Sequence, residues 1–150
     1  MKPLVYVAAP LAGDVERNVR RAAALARLVV EEHGNPICVH PAVAAGVYGD
    51  DHNAEHRRRG LSLDLELLVH VHNAGGQLVA LLRDDGSASP GTAVEMEFWV
   101  HRLGGASPEL VTWSDLAERF AAVGLAGLHA ALTTPTYLPP APPAGWEVSL

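Results

Sequence analysis

The chain has 150 residues, of which 49% are hydrophobic and 19% are charged, and its formal net charge is −6. This composition is typical of a globular domain, and the negative charge argues against binding to nucleic acid or to an anionic membrane surface, since both need a basic face. No apolar run approaches the roughly 20 residues that are needed to span a bilayer.

The compartment is inferred from the cysteine count and from the start of the chain. Cys38 is the only cysteine, so an internal disulfide and a cysteine-rich zinc site are both excluded. The apolar segment at the start is short and is interrupted by Pro10, unlike a signal peptide. We therefore expect a cytoplasmic protein.

The hydrophobic pattern predicts strands and helices in alternation. Strands are indicated by short continuous apolar runs, and helices by apolar residues at helical spacing behind a capping residue such as Asp14 or Ser114. In chain order we predict a strand at 4–9, a helix at 14–32, a strand at 37–40, a helix at 54–73, a strand at 78–82, a helix at 92–103, a strand at 110–113, a helix at 114–123 and one or two helical turns within 125–132. Gly60 is unfavourable inside the second helix, by about 1 kcal/mol relative to alanine.

This alternation predicts the fold class. We expect an α/β fold, a single-domain three-layer sandwich with a parallel sheet of four or five strands, Rossmann-like or flavodoxin-like. The domain covers residues 1–132, and the proline-rich segment 133–150 is a predicted C-terminal tail. In such sheets a ligand binds beyond the carboxyl ends of the strands, where strand order reverses, which points to the loops at 8–14 and 83–92.

The second of these loops combines a helix cap with a carboxylate. Ser89 is a predicted N-cap with Pro90 at the first helical position. The amides of Gly91 and Thr92, with the Ser89 hydroxyl, would form a small anion site, and glycine lets a ligand approach the backbone. Glu95 lies about one turn further on and is a candidate to face the same cleft. The alternative from spacing alone is a capping box between Thr92 and Glu95.

Three segments carry a family resemblance. The first reads Val-Tyr-Val-Ala-Ala-Pro-Leu over residues 5–11 and is followed by Asn18. The second, at 59–68, reads Arg-Gly-Leu-Ser-Leu-Asp-Leu-Glu-Leu-Leu, and the third, at 89–95, reads Ser-Pro-Gly-Thr-Ala-Val-Glu. In this order and spacing they resemble the nucleoside 2-deoxyribosyltransferase superfamily, which includes deoxynucleoside 5′-monophosphate N-glycosidases.

The resemblance implies chemistry at a sugar carbon without a cofactor or a metal. Glu95 would attack C1′ of a 2-deoxyribosyl group and displace the base, and water or a second base would then release the covalent intermediate. Tyr6 matches the tyrosine that orients the nucleophile, although a half-buried strand tyrosine is the alternative. The positions that would contact a nucleoside or nucleotide are Ala9, Pro10, Asn18, Asn73, Asp84, Ser89, Gly91 and Thr92.

Ser89 bears on the substrate class. In the superfamily that this chain resembles, transferases acting on free nucleosides usually carry aspartate six residues before the nucleophile, whereas the monophosphate N-glycosidases carry serine there. Ser89 lies six residues before Glu95. A hydroxyl at a helix N-terminus favours a phosphate that a carboxylate would repel. The alternative is that Ser89 only caps the helix.

The sequence departs from the superfamily beside the departing base. Relatives carry an aspartate near the third strand, but residues 71–78 contain none. Asn73 has a similar place but cannot act as an acid, while Asp84 and Asp85 follow the strand and are either substitutes or a solvated turn. A second function therefore stays open, namely a non-catalytic module that binds or senses a nucleotide in the same cleft.

Three further features have simpler interpretations. The histidine pairs 52/56 and 70/72 lack a convincing third ligand, so we expect no metal site. Residues 57–59 are three arginines, which form either a solvated helix face or a phosphate contact. The resemblance also implies a homo-oligomer, and Trp99 and Trp146 are candidate interface residues, unless they are buried within one subunit.

Overall fold

Four parallel strands form the centre of the protein. The computed structural model describes residues 2–44, 46, 49–50 and 53–134. The strands are β1 (Leu4–Ala8), β2 (Asn35–Ile37), β3 (Gln77–Leu81) and β4 (Glu109–Val111), in the order β2-β1-β3-β4. All three pairings are parallel. The predicted α/β class with a four-stranded parallel sheet is confirmed.

Six α-helices connect and cover the strands of the described part of the chain. They are α1 (Val15–Glu31), α2 (His40–Ala44), α3 (Ala54–Asn73), α4 (Pro90–Glu97), α5 (Ala117–Ala122) and α6 (Ala126–Ala131). A π-helical turn, Phe98–Arg102, continues α4, and a 3-10 turn, Ser114–Leu116, leads into α5. None of the described helices is long and apolar enough to cross a membrane.

Alternate residues of β1 face two separate cores. Val5 and Val7 belong to a core that includes buried residues of α1, β4 and α5, whereas Tyr6 and Ala8 belong to a core with α3 and Trp99. Because successive strand residues point to opposite faces, this pattern places helices on both faces of the sheet. The arrangement is the expected three-layer sandwich.

The strand order reverses at β1. The chain passes from β1 to its neighbour β2 on one side, and then crosses to β3 on the other side of β1. In sheets of this order the crevice between the diverging connections lies beyond the carboxyl ends of the first and third strands. This position of the crevice brings together the loop after β1, the start of α2 and the loop before α4.

The boundary between β2 and α2 differs from the prediction. A strand was expected at 37–40, but β2 ends at Ile37 and a short helix starts at His40. Pro41 explains the difference, because its fixed φ suits the first turn of a helix as well as the end of a strand. The side chain of His40 therefore belongs to the crevice rather than to the sheet.

The segment after β4 packs against α1. The guanidinium group of Arg21, on α1, donates to the carbonyl oxygens of Leu132 at 2.8 Å and Thr133 at 3.1 Å. The rings of Trp113 and His129 stack with centroids 4.7 Å apart. The predicted tail lies almost wholly outside the described residues, which end at residue 134.

Candidate active site

A cavity of about 250 Å³ occupies the crevice at the carboxyl ends of β2, β1 and β3. Its walls come from the loop after β1, from α2, from one face of α3 and from the first turns of α4. Gly60 is buried in the α3 wall, where the absence of a side chain leaves room for the cavity. That position explains a glycine that is unfavourable for the helix itself.

Glu95 is the buried carboxyl group of the α4 wall. Its side chain lines the cavity although the residue is only 5% exposed. The pKa of Glu95 is raised to about 8, chiefly by burial, while the interaction with the Tyr6 hydroxyl lowers it and the negative charge of Asp64 raises it. A carboxyl group perturbed in this way, inside a cavity, is typical of a functional site.

Asp64 supplies a second buried carboxyl group from α3. It also lines the cavity, it is 9% exposed, and burial raises its pKa to about 6. Oδ1 of Asp64 and Oε2 of Glu95 are buried and have no hydrogen-bond partner among the described residues. Two such groups titrate as a pair, so that near neutral pH they hold one proton and one negative charge between them.

Asp64 was not among the predicted site residues, although the sequence contains a signal for it. It lies three residues after Leu61 and four before Leu68, on the face of α3 that is otherwise apolar. An aspartate on a buried stripe needs a partner or a function, because an isolated buried charge is costly. A second carboxyl group therefore lines the cavity, although residues 71–78 contain none.

Tyr6 lies between the sheet and the buried carboxyl groups. Its side chain is fully buried, rather than half-buried, on the face of β1 that α3 covers. Its hydroxyl group interacts with the Glu95 carboxyl group and lowers its pKa, which favours the ionised form. The predicted proximity of Tyr6 and Glu95 is thereby observed.

The N-terminus of α4 forms part of the rim of the cavity. Ser89 is the N-cap, since its Oγ accepts a hydrogen bond from the Thr92 amide at 3.3 Å and donates to Thr92 Oγ1 at 2.9 Å. The capping box with Thr92 as its first residue is therefore wrong. Ser89 and Gly91 both line the cavity, and the Gly91 amide has no acceptor within the helix because it lies in the first turn.

Two arginines lie at the mouth of the same cavity, which Asp50 also lines. Arg57, on α3, and Arg83, after β3, both line it and are both exposed. The protein carries a net negative charge, so this pair and the α4 N-terminus are a local exception. The arrangement suits a small ligand with one anionic group.

Several predicted contact residues lie elsewhere. Ala9 lines the cavity, but Pro10, Asn18 and Asp84 line a neighbouring cavity instead. The amide group of Asn18 donates to two carbonyl groups of the loop after β1, at 3.1 and 3.0 Å, and so fixes that loop. Asp84 accepts a hydrogen bond from Arg21 at 2.9 Å.

Asn73 and Trp99 have positions that differ from those the sequence suggested. Asn73 is the exposed last residue of α3 and lines neither cavity. Trp99 is 1% exposed, and its Nε1 donates to the Ala106 carbonyl at 2.8 Å, so it is buried within the subunit. Trp146 lies outside the described residues, and the homo-oligomer stays a prediction.

His40 is a cavity residue that the sequence reasoning missed. It starts α2, is 6% exposed, and its Nε2 lies 2.6 Å from the carbonyl oxygen of Ala9. Burial lowers the pKa of the ring, which favours the neutral form. Within the described ranges no group of three or more histidine, cysteine, aspartate or glutamate side chains is arranged to hold a metal ion.

Residues 3–100 match the model of a domain family of unknown function, DUF7768, over more than half of the chain. The chain belongs to this family. No curated protein and no solved structure matches it. The DUF7768 match contains β1 to α4, and with them every cavity residue named above, and it ends before β4. The DUF7768 description assigns no function, so the chemistry of the cavity carries the functional argument.

Proposed function

We propose that this DUF7768 protein cleaves or transfers the N-glycosidic bond of a 2′-deoxynucleoside or its 5′-monophosphate, through a covalent glycosyl-Glu95 intermediate. The supporting observation is the buried pair of Glu95 and Asp64 in one cavity. Breaking a glycosidic bond requires one ionised and one protonated carboxyl group beside the sugar. The pair holds one proton in the range between about pH 6 and 8, in accord with its raised pKa values.

The first step breaks the bond between C1′ and the base nitrogen. An oxygen of ionised Glu95 forms a bond to C1′, the electron pair of the broken bond leaves with the base, and Asp64 donates its proton to the base. In the second step water or a second base attacks C1′, and the bond to Glu95 breaks. Asp64, now ionised, takes the proton of the incoming nucleophile. Both carboxyl groups thus return to their starting states.

Two neighbouring features support this assignment of roles. The pKa values of about 8 for Glu95 and about 6 for Asp64 place the shared proton on Glu95 in the free protein, so the reaction proceeds from the form in which this proton has moved to Asp64. The interaction with the Tyr6 hydroxyl lowers the pKa of Glu95 and so favours that form. The entry of a substrate with an anionic group is favoured by Arg57, Arg83 and the first turn of α4 at the rim. We therefore expect the 5′-monophosphate to be a better substrate than the free nucleoside.

The deciding experiment traps the intermediate. A 2′-deoxy-2′-fluoroarabinosyl nucleoside 5′-monophosphate would slow the second step, because fluorine disfavours positive charge at C1′, and the labelled protein would be digested and sequenced by mass spectrometry. Arg83 lies between the two carboxyl groups, so trypsin separates the peptide of Asp64 from that of Glu95. We expect the label on Glu95.

Matched variants of two nearby glutamates control the trapping experiment. Glu95→Gln should abolish both labelling and base release, whereas Glu97→Gln, an exposed change in the same peptide, should leave both unaltered. A label on Asp64 would reverse the two roles. A protein that binds nucleotides but neither forms the adduct nor releases a base would be a binding or sensing module, and the proposed reaction would be wrong.

A further inference from the structure

The ring of His40 is anchored by a group that only accepts hydrogen bonds. Its Nε2 lies 2.6 Å from the carbonyl oxygen of Ala9, at the end of β1. A carbonyl oxygen has no hydrogen to donate, so Nε2 carries the hydrogen and donates it. In a neutral ring with a protonated Nε2, Nδ1 is an acceptor with no hydrogen of its own.

Nδ1 of His40 is left for a group that enters the cavity. The atom is buried, and no described residue donates to it. A buried acceptor without a donor is unfavourable, and this cost is regained when a donor arrives. The side chain of His40 lines the cavity, so a ligand bound there is the group placed to supply the donor.

The place of His40 in the fold indicates which part of a ligand it meets. It follows β2, whereas the positively charged rim with Arg83 and the α4 N-terminus follows β3, and β1 lies between these two strands. Neighbouring strands are about 4.8 Å apart, so the two ends of the cavity are separated by roughly 10 Å, the scale of a nucleotide. Val39 and Val43 line the cavity beside His40 and form an apolar wall suited to a flat heterocycle.

We propose that Nδ1 of His40 accepts a hydrogen bond from an exocyclic amino group of the nucleobase, and that His40 thereby determines base specificity. The inference rests on the proposed function and names the base that the site selects. An amino group donates a hydrogen bond to Nδ1, whereas an oxo group at the same place would face Nδ1 with a second acceptor. Adenine is therefore bound in preference to hypoxanthine, and cytosine in preference to uracil.

Two substitutions of His40 test the Nδ1 acceptor separately from the hydrogen bond that Nε2 donates to Ala9. His40→Gln places an amide nitrogen near the position of Nε2, which keeps the donor to Ala9 and removes the acceptor. His40→Asn places a carbonyl oxygen near the position of Nδ1, which keeps the acceptor and removes the anchor. The probes are 2′-deoxyadenosine 5′-monophosphate and 2′-deoxyinosine 5′-monophosphate, compared by kcat/KM for base release and by calorimetric binding to each protein.

The wild-type protein should favour the amino base by about tenfold or more, the effect of one buried hydrogen bond. His40→Gln should remove the preference, and His40→Asn should retain it even if the protein is less stable. Equal rates for both bases in the wild type, with no change in His40→Gln, would overturn the inference and leave the proposed function standing. Binding of neither nucleotide would overturn the proposed function, and the inference with it.

The protonation state of the His40 ring provides a test that does not require turnover. ¹⁵N spectra of histidine-labelled protein, with the His40 signals assigned by their loss in His40→Gln, report which ring nitrogen carries hydrogen. We expect a neutral ring protonated at Nε2, whose Nδ1 signal shifts when 2′-deoxyadenosine 5′-monophosphate is added. A ring protonated at Nδ1 in the free protein would contradict the inference whatever the kinetics show.

Discussion

The buried carboxyl groups of Glu95 and Asp64 dominate the chemistry at the scale of single residues. Neither is paired with a cation among the residues that the structure describes, and their low hydration raises both pKa values. The negative charge of Asp64 adds to the effect on Glu95. A pair of this kind retains a proton at a pH at which exposed carboxyl groups have lost theirs.

The first consequence is a pH optimum near neutrality. Below about pH 6 both carboxyl groups are protonated and no nucleophile remains, whereas above about pH 8 both are ionised and no proton is left for the base. The rate constant kcat/KM should therefore follow a bell-shaped curve with one proton on each limb. Measurement of base release between pH 4.5 and 9.5 tests this.

Asp64→Asn is the informative variant for the pH profile. It removes the proton donor, so the rate at neutral pH should fall by roughly 10²–10⁴-fold and the alkaline limb should disappear. The acidic limb should move to higher pH, to a value between about 6 and about 8, because it then reports the ionisation of Glu95 alone, whose pKa is raised mainly by burial and no longer by the charge of Asp64. If the pH profile of kcat/KM stays bell-shaped and unchanged in Asp64→Asn, the proton is transferred by another group.

Sequence alone identified only part of this chemistry. Glu95 and Tyr6 were predicted because their motifs are short, contiguous and resemble those of a known superfamily. Asp64 was missed because it lies 31 positions before Glu95, and only tertiary packing joins them. His40 was missed because an apolar run before proline predicts a strand and a helix start equally well.

At the scale of elements, the N-terminus of α4 has two roles that a single substitution can separate. Ser89 caps the helix and also lines the end of the cavity that would bind an anionic group. Ser89→Asp keeps a good cap, because aspartate is as effective as serine at this position, but it places a negative charge beside the phosphate. Ser89→Ala removes both the cap and the hydroxyl group.

We expect Ser89→Asp to raise KM for a 5′-monophosphate by about tenfold or more, since like charges held close together repel by over 1 kcal/mol. The free nucleoside should be unaffected, and so should the free energy of unfolding. Ser89→Ala should lose about 1 kcal/mol of stability in urea denaturation. Equal effects of Ser89→Asp on both substrates would show that the phosphate does not bind at this helix end.

At the scale of the whole molecule, the alternation of apolar runs was sufficient to predict the parallel sheet and both helical layers. The strand order was not predictable in the same way, because periodicity does not specify which strands pair. The general rule for such sheets nevertheless placed the ligand beyond β1 and β3, where the cavity lies. The family match ends at residue 100, so β4, α5 and α6 extend the matched region.

Arg21 joins this C-terminal extension to the rest of the molecule. It is buried, its guanidinium group lies over the Trp113 ring at 5.1 Å, and it donates to Leu132, Thr133 and Asp84. Lysine cannot reproduce this set, because its ammonium group lacks the planar fork that reaches several acceptors at once. These hydrogen bonds of Arg21 hold the last described residues against α1 and link α1 to the loop after β3.

Arg21→Lys should therefore lower the free energy of unfolding by about 1–3 kcal/mol, the cost of leaving buried acceptors unpaired. Hydrogen exchange should rise first in residues 125–134, which unfold locally before the sheet does. The matched control is Arg20→Lys, since the ion-pair partner of Arg20 among the described residues is exposed Glu16 and such pairs contribute at most about 1 kcal/mol. Equal stability of the two variants would show that the C-terminal segment is held by the stacking of Trp113 on His129 rather than by Arg21.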